Sequence, residues 1–251
     1  MLASDLYVAG YPLSPFTDLH AELLGRAPKL ADGHSIFAMI GKVKINGRAA
    51  SMDTFISARD KVETGARSHS IFVVDKDAFI LRSEGSLQLE AEEPPPETEK
   101  KAEKSTIKET SVSVMHLVMG KLLSVFGKHT IINAVATIGI RGKAIYVESD
   151  PEESYIFKCY GTTDLGSINA PEKTETIVST HHSAPRYISA KASEGKRIHT
   201  APFKNHDDEL LLIETLVGRT RLLACLAVYV LARNVTRVYW PWPGSAPTQR
   251  R

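Results

Sequence analysis

The sequence predicts an α+β protein: two β-containing lobes with flanking helices, joined by a flexible charged linker. Three observations support this. Hairpin signals cluster early in the chain, the clearest at Asn46-Gly47. Segments with apolar residues three and four apart flank a second set of alternating segments. Strand and helix signals do not alternate regularly, which argues against a parallel βαβ sheet. The linker is Gln88–Glu109, QLEAEEPPPETEKKAEKSTIKE, which sets three prolines in an acidic run and continues into a lysine-rich one. Such a stretch buries too little apolar surface to offset the entropy of ordering it. The expected domains are a mainly β lobe over 1–87, the linker over 88–109, an α+β lobe over 110–243 and a disordered basic tail over 244–251.

The elements follow in order. Phe16–Arg26 has helical spacing and Thr17 as a cap. Ser35–Ile45 reads as a strand, Asn46-Gly47 as a tight turn whose residues tolerate positive φ, and Arg48–Ser57 as the return strand. Ser70–Val74 and Phe79–Arg82 flank a second turn at Asp75-Lys76-Asp77, and Ser86–Leu89 extends the sheet. Ser111–Phe126 places Val112, Met115, Val118, Met119, Leu122, Leu123 and Phe126 at helical spacing, with Gly127 as the residue that closes the helix. Thr130–Ile140 and Ala144–Glu148 form a third hairpin over Arg141-Gly142-Lys143. Ser154–Tyr160 alternates around Tyr155, Phe157 and Cys159, with the cysteine inward. Asp164–Glu175 reads as loop, Glu175–Thr180 as a short strand and His181–Phe203 as a long irregular stretch. A last helix runs from Asn205 to Arg233, with Asp207, Asp208 and Glu209 at the positive end of its dipole.

At 251 residues the chain can bury a core without a disulfide or structural metal. Two cysteines, Cys159 and Cys225, argue against a disulfide scaffold and suit a reducing compartment. The N-terminus shows no basic region followed by an apolar run, so a cytoplasmic protein without a signal peptide is expected. The longest apolar stretch, Leu222–Ala232, is too short to span a bilayer. The net charge of +2 divides into −3 over residues 1–109 and +5 over residues 110–251. The basic half favours an anionic partner.

Three segments are candidates for function. His181–His206 gathers Arg186, Lys191, Lys196, Arg197 and Lys204, with Tyr187 as a stacking face. Cations with an aromatic suit a phosphate backbone; the plainer reading is a solvated surface loop. Tyr239, Trp240 and Trp242 lie in a proline-interrupted strip that suits a protein partner, or simply seals the core. His181, His182, His206 and Asp207 are metal-ligand types, but HExxH and CxxC are absent and an acidic helix N-terminus already explains Asp207. GxSxG, GxGxxG and GxxxxGK[ST] are also absent. No catalytic residue, cofactor or metal is expected. The resulting expectation is a non-enzymatic structural or assembly protein, of the coat, matrix or ribonucleoprotein scaffold type. It would form homo-oligomers and contact nucleic acid, RNA included, through its basic half. The alternatives are a metal-dependent hydrolase built on the His/Asp cluster and a protein–protein adaptor that binds no nucleic acid.

Overall fold

Consecutive buried residues, as in Ile71–Val74 and Leu122–Phe126, mark strands enclosed on both faces. The computed structural model describes residues 7–8, 11–12, 34–91, 112–179, 183–193, 196–204 and 207–218. It is nearly all β, with 70% strand and 5% helix, in a barrel-like arrangement. This corrects the α+β expectation: among the described residues there is one helix, α1 (Asp207–Leu216).

The strands are β1 (Tyr7–Val8), β2 (Tyr11–Pro12), β3 (Ser35–Ile40), β4 (Val43–Ile45), β5 (Arg48–Ala49), β6 (Lys61–Thr64), β7 (His69–Val74), β8 (Asp77–Leu81) and β9 (Ser86–Ala91). They continue with β10 (Val112–Ile132), β11 (Ala136–Ser149), β12 (Glu153–Ser167), β13 (Ala170–Ser179), β14 (Ser183–Ser193) and β15 (Lys196–Thr200). β1 and β2 form a hairpin of their own. The other thirteen form one sheet, ordered β15-β14-β12-β11-β10-β9-β6-β4-β5. β8, with β7 and β3 beyond it, branches from β10, and β13 branches from β12.

β10 is the hinge of this layout. Its first half pairs with β9, from Val112 opposite Ala91 to Met119 opposite Ser86. Its second half pairs with β11 and, over Leu122–Val125, with β8. The partner changes at Gly120, whose φ is +98°; a Cβ there would lie 2.5 Å from the Cα of Gly85. Only glycine permits that backbone and that approach. The sheet therefore runs unbroken from strands before the predicted linker to strands after it. Gln88–Ala91 of that linker belong to β9, and residues 92–111 lie outside the described residues.

Cross-strand register gives both faces of the central sheet. One row reads Phe72, Phe79, Ser124, Ile145, Lys158, and the adjacent row reads Ile71, Ile80, Leu123, Tyr146, Phe157. Neighbouring rows point to opposite faces. The first row enters the main core, where Phe79 stacks on Phe72 at 5.1 Å between ring centroids. The second carries Arg82, Tyr146 and Tyr155, and α1 packs on β8 and β10 on that side.

Several local expectations change accordingly. Val112–Phe126 is strand, not helix: register shifts between Val112 and Val114 and between Leu117 and Met119 break the period-two alternation in its first part, and over Leu122–Phe126, where both faces are covered, the alternation disappears. Gly127 lies inside β10 instead of ending a helix. The third hairpin turns at Asn133–Val135, while Arg141–Lys143 is an irregularity within β11 at Gly142, φ +92°. Asp164–Glu175 belongs to β12 and β13, and His181–Phe203 contains the β14–β15 hairpin. Ser35–Ile45 is broken at Gly41, φ +75°, into β3 and β4. The return strand after Asn46-Gly47 is only Arg48–Ala49. The proposed helix over Phe16–Arg26 and the helix beyond Leu216 fall outside the described residues.

Candidate interaction surface

The charged residues around Glu148, on the α1 face, form a partly buried network. Tyr146 donates its hydroxyl to Glu148 Oε1 at 2.7 Å, and Lys204 Nζ donates to the same oxygen at 2.6 Å. Lys121 Nζ stands 3.7 Å from Glu148 Oε2. The Lys204 ammonium also sits 4.3 Å from the centroid of the Tyr155 ring, and Tyr155 donates its hydroxyl to the Pro202 carbonyl at 2.9 Å. Phe203 meets Phe157 edge-on at 5.2 Å. The strap Pro202–Lys204 is thus held to β11 and β12 by one ion pair, one cation–π contact and one aromatic edge. Beyond it, α1 places Glu209 against Arg82 and Glu214 against the Tyr160 hydroxyl.

The protonation energetics fit a clamp. Burial works to raise the Glu148 pKa, but hydrogen bonds from Lys204 and Tyr146 outweigh it and hold the carboxyl below its ordinary value. Burial, reinforced by the Glu148 charge, pushes both Tyr146 and Tyr155 upward. His69, on the same face, is moved downward by burial and then by the Arg82 charge. An acid–base catalyst at neutral pH needs its carboxyl raised toward 7. Glu148 moves the other way, with both oxygens engaged.

The cations predicted to meet nucleic acid divide into two groups. Arg186, on β14, is bound to Glu175 of β13 at 2.5 and 2.9 Å. Arg197 donates to the Ala190 carbonyl, and Lys204 is held by Glu148. Tyr187 packs edge-on against Tyr155 at 5.4 Å instead of offering a face to solvent. Lys191 and Lys196 are exposed on the β14–β15 hairpin. Tyr239, Trp240, Trp242, His181, His182 and His206 lie outside the described residues, as does the Asp207 side chain. Among the described residues, no three His, Cys, Asp or Glu side chains are placed to hold a metal ion.

Sequence reading did not anticipate a set of exposed apolar residues on strands and in the loops between them. These include Ile40, Met52, Phe55, Val118, Met119 and Val178; Phe55 is 65% and Val118 55% exposed. No helix among the described residues is long and apolar enough to cross a membrane. A shallow hollow of about 370 Å³ lies among Asp150, Glu152, Glu153, Ser189, Ala190 and Lys191. Its acids serve the β11–β12 turn: Asp150 accepts from the Glu152 and Glu153 amides, and Glu153 from Ser189.

No family model matches the chain, and no curated protein matches it. Two solved structures, each named a "putative anti-sigma factor" from Parabacteroides distasonis, are similar at 9% and 10% identity, with TM-scores of 0.41 and 0.39. The matches cover 61% and 57% of this chain and 63% and 60% of those chains, under two thirds of their length. Likeness at this level assigns neither fold nor function.

Proposed function

We propose that this chain is a non-enzymatic structural or assembly protein that self-associates and contacts nucleic acid through the β14–β15 hairpin. The observation that carries the reading is the exposure of large apolar side chains, Val118 and Met119 of β10 and Val178 of β13 among them, on a nearly all-β body. Exposed apolar residues on ordered strands favour docking against another ordered surface. In the nucleic-acid contact, the exposed Lys191 and Lys196 take the leading role, while Arg197 braces the hairpin, Arg186 ties it to β13 and Lys204 is engaged by Glu148 of β11.

The test is the solution mass by light scattering, with and without nuclease, at low and high salt. An oligomer that loses bound nucleic acid with nuclease or salt is the expected result. A 27.6 kDa monomer without nucleic acid rejects the proposal. The hairpin assignment has its own check. Lys191→Ala with Lys196→Ala should weaken nucleic-acid binding and reduce the slope of log affinity against log salt by about 1.5–2. Arg186→Ala should instead lower stability, because it leaves Glu175 without its cation. An unchanged slope in the lysine variant removes the hairpin from the interface.

A further inference from the structure

We propose that Asn46-Gly47, at the tip of the β4–β5 turn, is a site of covalent self-modification: the side-chain amide of Asn46 is lost as ammonia, and the product breaks the bridge that Asn46 makes to Asp60 and Lys61. Neither the reaction nor its consequence depends on self-association.

The reaction needs only this turn and water. The main-chain nitrogen of Gly47 attacks Cγ of Asn46. The new C–N bond closes a cyclic imide, the Cγ–Nδ2 bond breaks, and the proton of the Gly47 amide leaves with Nδ2 as ammonia. Solvent water then adds to one of the two imide carbonyls and opens the ring, giving aspartate by one route and isoaspartate by the other. A side chain on the attacking residue would crowd that nitrogen, and glycine carries none. Among the asparagines of the chain, Asn46 alone precedes a glycine. Both turn residues are exposed. Among the described residues, no atom beyond the chain neighbours lies within 4 Å of where a Gly47 Cβ would stand, so water reaches the turn. Asn133, by contrast, is buried, and Asn169 is exposed but precedes Ala170.

The fold holds the reaction back. Asn46 Nδ2 donates to Asp60 Oδ1 at 2.7 Å, and Asn46 Oδ1 accepts from the Lys61 amide at 2.9 Å. Turning Cγ back onto the Gly47 nitrogen breaks both bonds. The same bridge fixes the segment that leads into β6. Asp60 Oδ2 accepts from the Ser57 amide at 2.6 Å, and the Asp60 carbonyl accepts from the Leu89 amide at 3.0 Å. Once the amide is gone, the bridge does not re-form. A carboxylate oxygen takes the place of Nδ2 beside the Asp60 carboxylate, so a donor facing an acceptor becomes two like charges. In isoaspartate the main chain is also longer by one carbon, which distorts a two-residue turn set at φ +50° and +77°. The change is therefore one-way. It loosens the hold on the Ser51–Asp60 loop, which carries the exposed Met52 and Phe55.

The experiment ages the full chain at neutral and mildly alkaline pH and follows position 46 by peptide mass spectrometry that separates asparagine, aspartate and isoaspartate. Expected is accumulation of both products at position 46, faster at the higher pH because the attacking nitrogen must lose its proton, while Asn169 keeps its amide. No loss at position 46, or equal loss at Asn169, overturns the site. In urea the reaction should run faster by about tenfold or more, because the two side-chain bonds are then absent. Asp60→Ala should quicken it in the folded chain, and a rate equal to wild type overturns the Asp60 bridge as the brake. Should that variant fail to fold, the urea comparison decides, an equal rate overturning the brake. Asn46→Asp should lower exchange protection of the Ser57 and Lys61 amides, and Asn46→Asp with Asp60→Asn should restore it, since an amide again meets a carboxylate. Unchanged protection in Asn46→Asp overturns the one-way release, and failure of the pair to restore protection overturns like charge as its cause.

Discussion

The two halves of β10 are one strand in two environments. Over Val112–Met119 the strand has one described partner, β9, and its buried residues Val112, Met115 and Leu117 alternate with half-buried or exposed ones. Over Leu122–Val125 it has β8 on one side and β11 on the other, and these four residues are buried. The first half behaves as an amphipathic edge and the second as the middle of a layered core. The difference lies in the partners more than in local sequence, because both halves carry valine and leucine. Burial pattern in a sheet protein thus reports what surrounds a strand as much as what the strand is made of.

The comparison is broken most severely from the enclosed half. Phe79 lies beside Ser124 in the register and stacks between Phe72 and Phe126, at 5.1 and 6.4 Å. Phe79→Ala removes a ring from a site with no room to collapse, and should cost about 3–5 kcal/mol. The urea midpoint should fall sharply with the slope unchanged.

Next in size is the joint between the halves. Gly120→Ala imposes a side chain at φ +98° and drives its Cβ toward the Gly85 backbone. The dihedral alone costs about 1–3 kcal/mol, and the clash adds to it. Exchange protection should fall on both sides of the joint at once, in β9 and in β8. Loss confined to one side would show that the halves are energetically separate.

The clamp on the α1 face offers a smaller, pH-dependent perturbation. Glu148→Gln keeps the shape but removes the charge that binds Lys204, and should cost about 1–2 kcal/mol at neutral pH, after allowing for partial solvent screening. The folded-state pKa of Glu148 is depressed below its ordinary 4.5. Its contribution is therefore fully present above about pH 4.5 and is lost as pH falls through the folded value. The stability gap between wild type and the Gln variant should close on acidification. His69, lowered from 6.5, adds a loss beginning nearer pH 6.5 that both proteins share. A gap that persists at pH 2.5 would show that Glu148 acts through packing instead of charge.

What the sequence revealed followed from local chemistry. The Asn46-Gly47 turn was legible because both residues adopt positive φ, +50° and +77°, as a two-residue hairpin requires. The turn after β7 was located but drawn one residue too long: Asp75, at φ +55°, and Lys76 make it, and Asp77 already belongs to β8. The inward placement of Cys159 followed from alternation with Tyr155 and Phe157. β10 was not legible, because register shifts broke the two-residue period over Val112–Met119 and enclosure on both faces erased it over Leu122–Phe126. The clamp was not legible either: Glu148 and Lys204 are 56 residues apart, Arg82 and Glu209 127. The basic segment was read as a set of free cations because the partner of Arg186, Glu175, comes from a different strand. Sequence shows which charges a strand carries and is silent on which neighbour neutralises them.

The smallest expected effect probes the open half most directly. Val118 is 55% exposed, so Val118→Thr preserves the β-branched shape, buries nothing new and removes little area from a core. The stability of the monomeric fold should change by no more than about 0.5 kcal/mol. The urea midpoint of the threonine variant should therefore match that of the wild type, and a loss above about 1 kcal/mol would show that Val118 packs against a further part of the chain.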